Sequence, residues 1–300
     1  MKQMTISMIG VPMDLGADRR GVDMGPSALR CAHLQQRMEK LGYTFHDKGN
    51  LVVERPGDYG PEGEKLKYLP EIIKVSTELC RKVDAEIKQG AFPLVVGGDH
   101  SISIGTLKGI LQHKKRLGVI WFDAHADVNI PETSPSGNIH GMPLAVAMGY
   151  GHPDLTGIGG QEAKLNPTDV VIVGARSVDE GERDFIRSKG VHIYTMHDID
   201  RMGMTKVMEE AIAAVSKHTD GVHLSLDLDA IDPLDAPGVG TPVPGGVTYR
   251  ESHLAMEMLA DAGIITSAEL VEVNPILDTM NRTAEVAVAL AGSLFGEKIM

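Results

Sequence analysis

The sequence predicts an α/β protein built on a wide parallel sheet, and three observations carry that reading. Short β-branched or apolar runs alternate with longer amphipathic stretches, and each run tends to end in Gly, Asp or Pro. No Ser/Gly/Pro linker, low-complexity block or internal repeat divides the chain, so its 300 residues are read as one domain, 1–300.

The elements follow in order. Residues 5–10 form a β-branched run closing on Gly10, and 26–41 reads as a helix because Pro26 suits a first-turn position, where a missing N–H leaves nothing unpaired. Residues 44–47 form a second short strand, and the Gly- and Pro-rich stretch 51–63 reads as a loop. Helix 68–89, strand 92–96, helix 101–116 and strand 118–122 repeat the strand-and-crossover rhythm. A polar, turn-rich loop then covers 129–141, and a loop of that length in an α/β chain is more often functional than idle. Strands 170–174, 191–195, 221–227 and 267–273 complete a set of eight, joined by helices 180–189, 205–217, 249–262 and 283–295.

Charge and composition exclude whole classes of function. The chain carries 41 acidic and 29 basic residues, a formal net charge of −12, without a clustered Lys/Arg stripe, so a nucleic-acid partner is not expected. Its apolar runs stop well short of the roughly 20 residues a membrane span needs. The start shows no signal-peptide pattern, so the expected location is cytoplasmic. Cys31 and Cys80 both fall in helix-patterned segments and read as small buried hydrophobes.

Three strand ends close into Asp and His. They read Gly97-Gly98-Asp99-His100-Ser101, Asp123-Ala124-His125-Ala126-Asp127, and Asp227-Leu228-Asp229-Ala230-Ile231-Asp232-Pro233. In a parallel sheet all carboxyl ends share one edge, so the three clusters can meet. Within the second and third clusters a period of two places the acidic and imidazole groups on one face of an extended chain, roughly 7 Å apart. Burying so many carboxylates without a cation is too costly, and an oxygen and imidazole donor set without thiolate favours Mn²⁺ over Fe²⁺, Co²⁺ or Zn²⁺. Other motifs fail on the letters. An EF-hand loop from Asp227 would need Gly at 232, a dinucleotide fingerprint from Gly238 would need Gly at 243, and no Gly-Lys-Ser/Thr occurs.

These three clusters resemble the signatures of the ureohydrolases. Ser136-Gly137-Asn138-Ile139-His140-Gly141, Arg176-Ser177-Val178-Asp179-Glu180-Gly181-Glu182, Gly240-Thr241-Pro242 and Glu272-Val273-Asn274-Pro275 are similar to the arginase branch, bacterial members above all. The likeness runs from Ile9-Gly10-Val11-Pro12 to the C-terminus. It implies a three-layer α/β/α fold with an eight-stranded parallel sheet, two Mn²⁺ ions per subunit, and a homo-oligomer, hexamer or trimer. By position it makes His100, Asp123, Asp127 and Asp227 ligands of the first ion, and His125, Asp123, Asp227 and Asp229 ligands of the second. The implied reaction is hydrolysis of L-arginine to L-ornithine and urea, through a hydroxide shared by the two ions.

The resemblance gives Asp127 the proton passed to the leaving amine and makes His140 a proton relay to bulk water. Glu272 would pair with the guanidinium, with Thr241 assisting. Asn129, Ser136 and Asn138 would face the substrate's α-carboxylate, while Asp179 and, through water, Glu182 would receive its α-ammonium. Asp232 reads as a turn former beside Pro233, and His223 falls on the metal-facing side of its strand. The chain departs from many bacterial members in having Ala126 and Ala230 where they have Gly, each adding a methyl group near the metals. An agmatinase or another guanidino-compound ureohydrolase is the alternative within the family, and a non-catalytic metal-holding assembly protein the alternative outside it.

Overall fold

Eight strands form one sheet in the computed structural model, which describes residues 4–17, 19–54, 65–160 and 162–298. They are β1 (Thr5–Val11), β2 (Thr44–Asn50), β3 (Phe92–Gly97), β4 (Gly118–Phe122), β5 (Val170–Ala175), β6 (His192–Thr195), β7 (Val222–Asp227) and β8 (Ile265–Val271). Every neighbouring pair is parallel, in the order β2-β1-β3-β8-β7-β4-β5-β6. A parallel sheet is covered on both faces, which is why its strands are apolar throughout rather than alternating. In β4 all five residues are buried. Ile120 and Phe122 enter one core while Val119 and Trp121 enter the other.

Eleven helices are found among the described residues: α1 (Gly25–Cys31), α2 (Leu34–Lys40), α3 (Leu69–Lys88), α4 (Ser103–Ile110), α5 (Pro143–Ala147), α6 (Pro153–Thr156), α7 (Glu180–Lys189), α8 (Met196–Met202), α9 (Met204–Ser216), α10 (Tyr249–Ala262) and α11 (Arg282–Leu294). α1, α2 and α8 to α11 feed the core on one face, and α3 to α7 the core on the other, giving three layers. None of them is long and apolar enough to cross a membrane.

The structure corrects several boundaries. The helix expected over 26–41 is two, broken where His33 takes the left-handed conformation at φ 64°. The break leaves Cys31, the last residue of α1, exposed, whereas Cys80 is buried as expected. The helix expected over 101–116 opens as a tight turn at His100–Ile102, capped by Asp99 accepting the Ser101 amide, and stops at Ile110. α5, α6 and α8 are too short for their periodicity to register. Of the expected loop 51–63, residues 55–63 lie outside the described residues.

Four strands at the centre of the sheet, β3, β8, β7 and β4, stand side by side. Their carboxyl ends deliver His100, Glu272, Asp227 and Asp123 to one edge.

Candidate metal centre

The expected convergence occurs, by a different local route. Neither Asp row stays extended. Asp123 bends its own loop by accepting the His125 amide at 2.7 Å, and Asp227 caps a tight turn, Leu228–Ala230, by accepting the Asp229 amide at 2.7 Å. A short side chain that captures the amide two residues on is a standard turn former. It aims the neighbouring donors inward.

Two donor groups result. His100 Nδ1 lies 3.0 Å from Asp127 Oδ2, 3.0 Å from Asp227 Oδ2 and 3.1 Å from Asp123 Oδ2. His125 Nδ1 lies 3.1 Å from Asp229 Oδ2 and 3.4 Å from Asp123 Oδ1. Asp123 therefore turns one oxygen to each group, and the sets His100, Asp123, Asp227 and Asp123, His125, Asp229 each have the spacing to hold a cation. The donors fit one: His100 Nδ1 and Asp123 Oδ2 are buried without a hydrogen-bond partner, and hard oxygen and imidazole donors suit a divalent metal.

The electrostatics show how strongly the nest draws positive charge. Burial, then the Asp229 and Asp123 charges, push Asp227 well above the usual carboxylate range. Burial, then Asp123, raises Asp127 to about 6. Burial works against protonating His100, but the Asp123, Asp127 and Asp227 carboxylates around its Nδ1 raise it well above an ordinary imidazole. His125 is raised in the same way by Asp229 and Asp123. Asp123, lying between both imidazoles, stays ionised despite its burial.

Behind the first group stands a polar scaffold of which sequence reasoning singled out only His223. His100 Nε2 meets Ser225 Oγ at 2.7 Å, and Ser225 Oγ donates to Glu269 Oε1 at 2.8 Å. Ser103 Oγ donates to the same oxygen at 2.5 Å. His223 meets Ser267 at 3.0 Å and Glu269 at 3.3 Å, so it lies one layer behind the ligands. Burial would raise Glu269, yet the His223 contact holds it down to about 2. The signal was present: Ser225 shares the period of Asp227, and Glu269 is a lone acid in the apolar run Ala268-Glu269-Leu270-Val271.

Glu272 leaves β8 with φ 66°, and Asp127 has φ 53°. Both are non-glycine residues in the left-handed region, a cost of roughly 1–3 kcal/mol each that functional sites tolerate. Glu272 Oε1 accepts the His100 amide at 2.9 Å and lies 3.5 Å from His140 Nδ1, while its Oε2 is buried without a partner. The backbone must pass close to that oxygen: a Cβ at Gly240 would fall 2.2 Å from it. Burial opposes protonation of His140, but Glu272 beside it, followed by Asp127 and Asp99, lifts it to about 9.

A cavity of about 140 Å³ opens over the donors, lined by His100, His125, Asp127 and Asp227 below and by Asn129, Ser136, Asn138, His140, Asp179, Glu182 and Thr241 around the wall. Asn129 Nδ2 donates to Asp179 Oδ2 at 2.9 Å, and Thr241 Oγ1 donates to Asp229 Oδ2 at 2.9 Å. The Ser136 hydroxyl accepts the Asn138 amide at 3.2 Å. Both oxygens of Glu182 are occupied by the amides of Val128, at 3.2 Å, and Asp179, at 2.9 Å. Asp232 is the turn former expected, accepting the amides of Leu234, Gly245 and Gly246. Ala126 and Ala230 are fully buried in the two hydrophobic cores and do not line the cavity, so neither methyl group narrows it.

Fold and site together define an α/β/α protein that gathers candidate metal donors at the carboxyl edge of its sheet. The family model for the arginase family matches residues 4–296. Arginase from Bacillus caldovelox is 63% identical over 296 residues, covering 98% of this chain and 99% of that protein. Arginase from Bacillus subtilis is 60% identical and covers 99% of both. A native crystal structure of the Bacillus caldovelox enzyme superposes with a TM-score of 0.97 at 62% identity, covering 99% of this chain and 100% of that one. The chain belongs to the arginase family. It is accordingly a metal-dependent hydrolase of the guanidino carbon–nitrogen bond, with a small molecule as substrate.

Proposed function

We propose that the chain hydrolyses L-arginine to L-ornithine and urea as a binuclear manganese enzyme, and one observation carries the reading: two donor groups share Asp123 beneath a cavity walled by amide, hydroxyl and carboxylate side chains. His100, Asp123, Asp127 and Asp227 would hold one ion, and His125, Asp123 and Asp229 the other, with Asp227, which the structure groups with His100, added to the second by the family pattern alone. When bound, the pair supplies a water acidified to near neutrality and able to attack the guanidinium carbon, which is otherwise a poor electrophile.

The remaining work belongs to side chains. Glu272 stands behind the cavity lining, its Oε1 fixed by the His100 amide and its Oε2 buried without a partner, and would pair with the guanidinium from there. Asp127, on the cavity floor, takes the proton freed in the attack and gives it to the departing amine. His140 lines both the inner cavity and an outer hollow of about 560 Å³, so it can relay protons between them. Thr241 steadies Asp229 through its hydroxyl. Asn129, Ser136 and Asn138 receive the α-carboxylate. Asp179 receives the α-ammonium, and Glu182, whose carboxyl burial raises to about 7, holds Asp179 in place by accepting its amide.

The protein acts in the cytoplasm as a homo-oligomer, hexamer or trimer. Ile276, Leu277 and Met280, exposed together in the loop after β8, support a self-association surface. The test of the chemistry is metal add-back. Chelator-stripped protein reloaded with Mn²⁺ should release urea from L-arginine in proportion to the manganese bound, as measured by elemental analysis; stoichiometric zinc in a fully active sample would overturn the metal assignment.

A further inference from the structure

We infer that Arg176 is a positioning residue that locks the second donor group, Asp123, His125 and Asp229, into a single unit; the inference rests on the two-metal reading above. Arg176 follows β5 and contributes no atom to either donor group. Its guanidinium reaches two other segments and the end of its own strand. Nη2 donates to the Asp229 carbonyl at 2.7 Å and the Val243 carbonyl at 2.7 Å. Nη1 donates to the Ala230 carbonyl at 2.9 Å and the Gly174 carbonyl at 3.3 Å, and Nε donates to the Val243 carbonyl at 3.1 Å. Its own backbone amide donates to the Ala124 carbonyl at 2.8 Å, between Asp123 and His125.

One residue thus ties the loop after β4, the ligand turn after β7 and the 241–247 segment that carries Thr241. Thr241 closes the circle by donating to Asp229 Oδ2. The 241–247 segment packs closely: a Cβ at Gly246 would lie 2.5 Å from the Asp232 backbone nitrogen and 2.7 Å from Arg176 Nη2. His100, which belongs to the first donor group alone, is held by other means, resting on Ser225 and on the Glu272 carboxylate. Only a planar fork with several N–H groups can bridge the Asp229, Ala230, Val243 and Gly174 carbonyls at once, and a lysine ammonium, a point donor, cannot replace it.

The test is titration of Mn²⁺ alone into the metal-stripped full-length chain by calorimetry, comparing the parent with Arg176→Lys and Arg176→Gln, and with circular dichroism to confirm folding. The expected result is two binding events in the parent, and in the folded variants a first event within about twofold of the parent with a second roughly 10–100-fold weaker. Two unchanged events in the variants overturn the inference and leave the two-metal reading intact. Equal weakening of both events, or loss of the fold in both variants, also overturns it, because Arg176 would then be a general structural tie. A parent that takes up fewer than two ions overturns the two-metal reading and the inference with it.

Discussion

His100 lies face to face on Trp121, with ring centroids 4.0 Å apart and planes 5° from parallel. The two come from β4 and the end of β3, which are separated in the sheet by β7 and β8. The imidazole that faces the carboxylates is therefore backed by a rigid plate from the hydrophobic core. Both side chains are almost fully buried.

Removing that plate should cost stability and metal together. Trp121→Ala is expected to lower the unfolding free energy by about 3–5 kcal/mol, the usual cost of so large a cavity. Trp121→Phe keeps a ring under His100 and should retain most of it. Urea denaturation of the metal-free proteins checks the first effect, and a parallel Mn²⁺ titration should show Trp121→Ala binding more weakly than Trp121→Phe.

Ser225 tests the polar half of the same support. With its hydroxyl gone, His100 Nε2 loses its 2.7 Å partner, and Glu269 loses the Ser225 donor. Ser225→Ala should weaken metal binding roughly 10–100-fold, the range for loss of a group that orients a ligand. Ser225→Thr, which keeps the hydroxyl, should recover most of that loss in the same titration.

Asp127→Asn removes a proton carrier while leaving a carbonyl oxygen in place. It should still take up metal, yet lose roughly 10²–10⁴-fold in kcat, the scale of positioned proton transfer. Single-turnover urea release set against bound manganese separates the two effects, and full activity in the variant would remove Asp127 from the proton path.

Much of this was legible in the residues, for identifiable reasons. α7 and α10 run over the expected residues because local chemistry marks both ends: Glu182 and Glu251 bond back to the capping positions Asp179 and Thr248, and Gly190 and Gly263 close the helices at φ 73° and 62°. The Asp and His donors were legible because they terminate apolar runs. The break at His33 was not, since a left-handed histidine leaves no mark in the helical period. The strand expected to run to Val273 ends at Val271 because Glu272 turns left-handed to reach the His100 amide, a long-range demand invisible locally. Arg176 stood in a recognised motif, but what it does depends on carbonyls 53, 54 and 67 residues away.

Away from the site, Lys108 is fully buried, its Nζ 2.8 Å from the carbonyls of Thr156 and Ala163. Burial, then the Lys164 charge, lowers its amine to about 8. Between that value and the ordinary lysine value near ~10.4, the unfolded chain binds a proton that the folded chain has released, so stability from this group rises with pH across the window. Lys108→Met should abolish that increment, seen as a smaller gain, or larger loss, in urea-unfolding free energy between pH 7.5 and 9.5 than the parent shows.

The most direct measurement of the central claim is the ratio of kcat/KM for urea release from L-arginine to that from agmatine, which lacks the α-carboxylate, using manganese-loaded protein. A wall built from Asn129, Ser136, Asn138 and Asp179 should make L-arginine the better substrate by about 100-fold or more, since a site arranged for polar groups discriminates strongly against an analogue lacking one. Faster turnover of agmatine would contradict it.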